Sequence, residues 1–255
     1  LFVAHRTPGR RHGGEILMSD EIGHYCGIAL VRLKKPLAYY MEKYGSPLWG
    51  FNQLFLLMEK QHNRGQDGAG IGSMKLNMPP GEAFMFRERS TSSKALSKIF
   101  GGQQAIMDKL VDAGSVNPDV PETIKHHFDY GGEIFLGHLR YGTYGAYGST
   151  TCHPYFRKSN WPGKNLMVVG NFNLTNVDAL NTKLVERGQH PVFDTDTQAI
   201  LEETGYHLDA FNDLLSEDAK KAHIPGGEQA QWIGERINLP EIFRKAAMHW
   251  DGGYS

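Results

Sequence analysis

An α+β fold is predicted by two kinds of pattern that recur along the chain. Short apolar runs bounded by glycine or polar residues read as strands, and stripes of apolar residues at helical spacing lie between them. From Cys26 the text CGIALVRL is small, apolar and β-branched before it turns polar at Lys34, Lys35 and Pro36, which predicts a buried strand. Phe51, Leu54, Phe55 and Met58 follow the i, i+3, i+4, i+7 stripe of an amphipathic helix between Trp49 and Gln61, ended by the polar run His62 to Gly70. Ala69 to Leu76 predicts another strand, punctuated by Asn77-Met78-Pro79-Pro80-Gly81. Residues 90–128 are richer in Lys, Ser and Asp, carry a helical pattern through Ile106, Leu110 and Val111, and read as an insertion on the scaffold. Glu133 to Leu139 and Leu166 to Val169 are apolar, bounded by glycines, and predict central strands. Val177, Leu180 and Leu184 mark a helix with Asn176 as its N-cap and Gly188 just past its end. Beyond Asp196 helical patterns dominate, one of them entered by Asn238-Leu239-Pro240.

Composition excludes several function classes. Across 255 residues, 27 Lys plus Arg oppose 28 Asp plus Glu for a net charge of -1, so no basic field for a nucleic-acid partner is expected. With 40% apolar and 11% aromatic residues the chain can bury one large core or two small ones. No apolar stretch approaches the roughly 20 residues of a membrane span, and runs such as that around Leu54 to Met58 are core-sized. The two cysteines, Cys26 and Cys152, lie far apart with no second Cys or His at zinc-like spacing. That removes disulfide scaffolds, Cys-rich metal sites and iron–sulfur clusters, and a cytoplasmic setting is the default; no metal or cofactor is expected in this chain. The first seventeen residues, LFVAHRTPGRRHGGEIL, are basic and glycine-rich without apolar periodicity and read as an unstructured extension, with Met18-Ser19-Asp20-Glu21 resembling an ordinary start.

Chemistry-bearing residues gather at predicted strand ends. Cys26 heads an apolar strand, where a cysteine is either an inert buried thiol or a nucleophile. In Gly137-His138-Leu139-Arg140-Tyr141-Gly142-Thr143, Arg140 is placed either to clamp a carboxylate with two parallel hydrogen bonds or to pair with any surface acid. Gly170-Asn171-Phe172-Asn173 reads as a turn or as an amide and backbone N–H set that receives negative charge on oxygen. Asp194-Thr195-Asp196-Thr197-Gln198 reads as a helix N-cap or as an acid for a ligand. Cys152, in Thr151-Cys152-His153-Pro154, adjoins a histidine, but neighbours in sequence lack the geometry of a nucleophile and its base, so a local structural role is expected.

These clusters in this order, with Gln61-His62-Asn63-Arg64-Gly65-Gln66-Asp67-Gly68-Ala69-Gly70 after the first helix, resemble the class II glutamine amidotransferases of the N-terminal-nucleophile hydrolases. The resemblance covers residues 26–255, and HLRYGT makes it most similar to the amidophosphoribosyltransferase branch, whose glucosamine-phosphate-synthase relatives carry Trp where Tyr141 stands. It implies a four-layer αββα sandwich, incomplete at the C-terminus, with residues 1–25 as a leader and a phosphoribosyltransferase domain lying beyond this chain. It also implies that Cys26 attacks the side-chain amide of L-glutamine, its own α-amine serving as base at a pKa of about 7.7 to 8.0. Asn171 and the Phe172 N–H match the oxyanion hole, and Arg140 matches the holder of the α-carboxylate. Thr143 and Asp196 match the α-amino end, Tyr141 the closure of the pocket, and Arg64 and Gly65 the loop beside it. Ammonia would pass to phosphoribosyl pyrophosphate held with magnesium by the downstream domain, in a full-length enzyme expected to be a homo-oligomer of purine synthesis.

Three departures accompany the resemblance. Phe172 replaces the glycine of Asn-Gly-Asn-Leu, Asn63 stands between His62 and Arg64-Gly65-Gln66, and twenty-five residues precede Cys26, leaving its nitrogen an amide until they are removed. Asp251-Gly252-Gly253-Tyr254-Ser255 resembles the start of a further family strand. Two alternatives stand beside the leading expectation. One is a class II amidotransferase with an asparagine-synthetase-like or glucosamine-phosphate-synthase-like acceptor domain, and the other is a catalytically silent glutamine-binding or interaction module.

Overall fold

A computed structural model describes residues 26–141 and 151–255, which divide after Cys152 into two units, each with its own packing. The leader 1–25 and Thr143 lie outside the described residues.

The first unit is built on one antiparallel sheet. In chain order it contains β1 (Gly27–Arg32), α1 (Leu37–Tyr44), α2 (Trp49–Lys60), a single 3-10 turn at His62–Arg64, β2 (Gly68–Met74), β3 (Met85–Ser90), α3 (Ala95–Asp112), α4 (Pro121–His127) and β4 (Ile134–Arg140). The strands lie in the order β1-β4-β2-β3, so the run at 134–140 is central as its apolar text requires. Strand alternation sorts the side chains onto two faces. Ala29, Val31, Ile71, Phe135 and Leu139 belong to the buried core with Leu54 and Met58 of α2. Each of these side chains larger than alanine contributes about 1.5–3 kcal/mol by leaving water, which is what holds the helices on this face.

Segment 90–128, expected as an insertion on the scaffold, packs into the sheet's own core. Ala95, Ile99 and Met107 of α3, and Ile124 and Phe128 at α4, sit in the same core as the sheet. The inward stripe of α3 runs Ala95, Ile99, Gln103, Met107, leaving Ile106 exposed with Leu110 and Val111 only flanking. Reading the stripe from the largest aliphatic residues placed it one position off, because small Ala95 and polar Gln103 occupy inward sites.

The second unit contains β5 (Tyr155–Arg157), β6 (Leu166–Val168), β7 (Phe172–Leu174), α5 (Val177–Glu186), α6 (Asp196–Lys221), α7 (Gly226–Gly234), α8 (Leu239–Ala246) and β8 (Gly252–Tyr254). β5 pairs with β6, and β7 with β8. The run at Leu166, expected as a central strand, is three half-buried residues paired on one side among the described residues. Leu174, Leu180, Ala199 and Ile200 form a small core against which Val168, Phe172, Val177 and Trp250 pack. Thr195 caps α6 by accepting from the Gln198 N–H at 3.2 Å, and Asn238 caps α8 by accepting from the Glu241 N–H at 3.1 Å. Asn176 precedes α5 without a side-chain cap.

The chain is thus α+β. Among the described residues no helix is long and apolar enough to cross a membrane, and no group of three His, Cys, Asp or Glu side chains is placed to hold a metal ion.

Candidate functional site

In the first unit the singled-out residues meet at one end of the sheet. Gly27 pairs with Leu139 across β1 and β4, and Arg140 pairs with Gly68 across β4 and β2. Because successive side chains alternate, Arg140 shares a face with His138 and Leu136, opposite the face that packs on α2. Cys26 precedes β1, is half-buried, and directs its thiol to the Tyr141 carbonyl at 3.9 Å. Cys26, Arg140 and Tyr141 are therefore neighbours, although 114 positions separate the first two in sequence.

Arg140 is 8% exposed, and among the described residues its Nη1 has no hydrogen-bond partner. A buried guanidinium nitrogen left unsatisfied is costly, which makes it a ready donor for an anionic ligand. Cys152 is fully buried beside it, its carbonyl accepting from Arg89 Nη1 at 2.9 Å. Burial pushes the Cys152 thiol up, against the opposing pull of Arg140 and Arg89. A buried thiol held protonated is a poor nucleophile, so Cys152 is separated from Cys26 by environment.

Gly65 is buried where the 3-10 turn returns to the sheet, whereas Arg64 and Asn63 are exposed on that turn. A Cβ at Gly65 would come within 2.6 Å of the Leu139 carbonyl and 2.7 Å of the Arg140 carbonyl carbon, both backbone. Gly65→Ala must therefore push the loop off the strand that carries Arg140. It is expected to cost about 1–3 kcal/mol, measured as a lower melting temperature. The extra Asn63 is absorbed in the exposed turn and leaves the Gly65 contact intact.

In the second unit, β7 and the start of α6 bring together Asn171, Phe172 and Asp196. Thr175 N–H donates to the Asp251 carbonyl at 2.8 Å, and Leu174 pairs with Gly252. The alternation of an antiparallel ladder then turns the Phe172 and Leu174 N–H groups away from β8. The Leu174 N–H faces the Asp196 carboxylate, whose Oδ1 also accepts from the Thr197 N–H at 2.7 Å. Segment 170–173 is thus the entry to a strand, and not only a turn. Asn171 is half-buried beside it.

Phe172, the largest departure from the resembled motif, directs its ring onto His153, with centroids 5.9 Å apart and planes 29° from parallel. The ring also covers Gly170, where any Cβ would fall within 1.9 Å of it. A bulky residue is accommodated because its side chain packs on the unit's own core while its N–H turns the other way.

Burial pushes the Asp196 carboxyl above its ordinary value, partly offset by the hydrogen bonds from Thr197 and Leu174. Among the described residues it has no cationic partner. A raised folded-state value means that its stability contribution is present below the unfolded pKa and lost as pH rises through the folded one. Asp196→Asn removes that loss, so its melting temperature near neutral pH is expected to equal or exceed that of the parent. A fall of several degrees would contradict this sign.

No family model matches the chain, and no curated protein matches it. Among solved structures, it is similar to glutamine phosphoribosylpyrophosphate amidotransferase from B. subtilis, complexed with ADP and GMP, at 16% identity and a TM-score of 0.49. The likeness covers 90% of this chain and 34% of that one, so the chain spans about a third of that enzyme.

His153 carried no expected role. It is 8% exposed, accepts from the Gly170 N–H at Nδ1 (3.2 Å) and lies 2.9 Å from the Thr197 hydroxyl at Nε2. The sequence signal was present in Thr151-Cys152-His153-Pro154, but neither partner is near it in the chain.

Proposed function

We propose that the chain is a glutaminase of the class II amidotransferase type, with an N-terminal-nucleophile sandwich architecture, acting in a form that begins at Cys26. What supports this most is the edge of β7. The Phe172 and Leu174 N–H groups point the same way two residues apart, about 7 Å along a strand, and Asp196 faces the second of them. Extended glutamine spans roughly 6 Å from its α-nitrogen to its side-chain oxygen. An acid for the ammonium and an N–H donor for the amide oxygen are thus offered at glutamine-like separation.

The remaining roles are those the resemblance implies. Arg140, whose Nη1 has no hydrogen-bond partner among the described residues, receives the α-carboxylate, and Tyr141 borders Cys26. Once its nitrogen is a terminal amine, Cys26 passes its thiol proton to that amine and attacks the amide carbon. The carbonyl electrons move to oxygen, where the Phe172 N–H and the Asn171 amide receive them. Collapse expels ammonia with the returned proton and leaves a glutamyl thioester, which water converts to glutamate and thiol. Thr143 completes the ammonium site by resemblance.

Substrate length tests the reading. Asparagine, one methylene shorter, cannot reach both ends of the β7 edge, so the form beginning at Cys26 is expected to hydrolyse glutamine and spare asparagine. Equal turnover of both amides, or release of ammonia from neither, would refute it. Glutamine KM is further expected to rise as pH falls through the elevated Asp196 pKa, since the protonated acid loses its ammonium partner.

As the acceptor of ammonia we propose phosphoribosyl pyrophosphate, bound with magnesium by a further domain, on the resemblance of the HLRYGT run alone. Glutamine-dependent consumption of phosphoribosyl pyrophosphate by the full-length protein tests this point.

A further inference from the structure

We propose that His153 is a positioning residue that ties the oxyanion strand to the Asp196 carboxylate through a directional chain of hydrogen bonds; this rests on the glutaminase reading and deepens it. The direction follows from counting protons. The Gly170 N–H can only donate, so His153 Nδ1 accepts, at 3.2 Å, and carries no proton. The ring proton therefore sits on Nε2 and is donated to Thr197 Oγ1 at 2.9 Å. Having accepted there, the Thr197 hydroxyl turns its own proton to Asp196 Oδ1, 3.3 Å away. The three bonds thus run in one direction, and the series ends on a carboxylate able to hold an ammonium.

Its two ends serve different parts of the reaction. Gly170 leads directly into Asn171 and Phe172, which face the developing negative charge, while Asp196 faces the other end of the substrate. Phe172 lies over the imidazole and Tyr155 stands edge-on to it, with centroids 5.3 Å apart at 70°. This aromatic cover, with His153 8% exposed, excludes water that would compete for the same bonds. It also gives Phe172 a purpose that glycine could not serve.

Two replacements of His153 separate the ends. Asparagine keeps an acceptor near the Nδ1 position but falls short of Thr197, whereas glutamine places an amide donor near Nε2 and abandons Gly170. In the full-length protein beginning at Cys26, His153→Asn is expected to raise glutamine KM roughly three- to tenfold with kcat nearly unchanged. His153→Gln is expected to lower kcat by a similar factor with KM nearly unchanged. Thr197→Val, nearly isosteric, should reproduce the KM effect and guards against misfolding of a His153 variant. A merely structural histidine would move both parameters together in both variants, and that result overturns the proposal. Ring-nitrogen NMR of the unsubstituted protein gives a reading independent of turnover. An Nε2–H tautomer at neutral pH is expected, and a protonated Nδ1 overturns the relay even if glutamine is hydrolysed. Failure of the unsubstituted protein to hydrolyse glutamine would instead strike the glutaminase reading, with the tautomer still deciding the relay.

Discussion

Cys26→Ala is expected to abolish glutamine hydrolysis and to leave ammonia-dependent synthesis intact in a full-length protein. The thiol is the only group given the task of forming the thioester, whereas an acceptor site has no use for it once ammonia is supplied. The effect should be the largest of any single substitution, a loss of several orders of magnitude, because a nucleophile acting as part of a unit takes the unit's contribution with it. The second cysteine supplies an internal control. Cys152 is fully buried with its thiol pushed up by burial, while Cys26 is half-buried at a sheet end. An electrophilic glutamine analogue should therefore label Cys26 and spare Cys152, as read by peptide mass. Labelling of Cys152 in the folded protein, or loss of both activities in folded Cys26→Ala, would break the assignment.

Arg140→Met is expected to separate binding from stability. A bidentate carboxylate contact comprises two charge-assisted hydrogen bonds of about 1.5–3 kcal/mol each. Its removal should raise glutamine KM by roughly two to three orders of magnitude with a smaller change in kcat. The same substitution removes a buried cation whose Nη1 has no partner among the described residues, and methionine fills similar space. The melting temperature should therefore hold or rise. A large loss of stability with KM unchanged would make Arg140 a structural residue. The contrast matters because Arg140 lies in the central strand, where most substitutions that reduce activity also unfold the protein.

What the sequence disclosed and what it withheld follow the range of the interactions. The strand from Gly27, the helix from Trp49 and the entries to α6 and α8 are written in adjacent residues, and the structure has each where the pattern puts it. The central place of β4 was equally legible, since a strand covered on both sides needs a continuous apolar run. The inward face of α3 is not legible in the pattern because Ala95 and Gln103 face inward where periodicity gives weight to Ile106. β3 and β5 are not legible in the sequence because Met85 to Ser90 and Tyr155 to Arg157 carry charges that only their partners make tolerable in a strand.

The site divides in the same way. Cys26, Arg140 and Tyr141 could be named from motifs, but their neighbourhood depends on the pairing of β1 with β4. Phe172 departs from the resembled motif, and a side chain's direction cannot be read from its size. In the structure the ladder turns its N–H one way and the ring goes to His153. His153 escaped notice for the opposite reason, since its partners Gly170 and Thr197 lie 17 and 44 positions away.

The central claim is that Cys26 carries the glutamyl group. The measurement that meets it most directly is the intact mass of the protein beginning at Cys26, quenched during turnover with glutamine, together with the ammonia and glutamate released. A glutamyl adduct that maps to Cys26 and disappears as equal amounts of the two products accumulate is the predicted result. Glutamate and ammonia formed with no adduct on Cys26, or undiminished in Cys26→Ala, would contradict it.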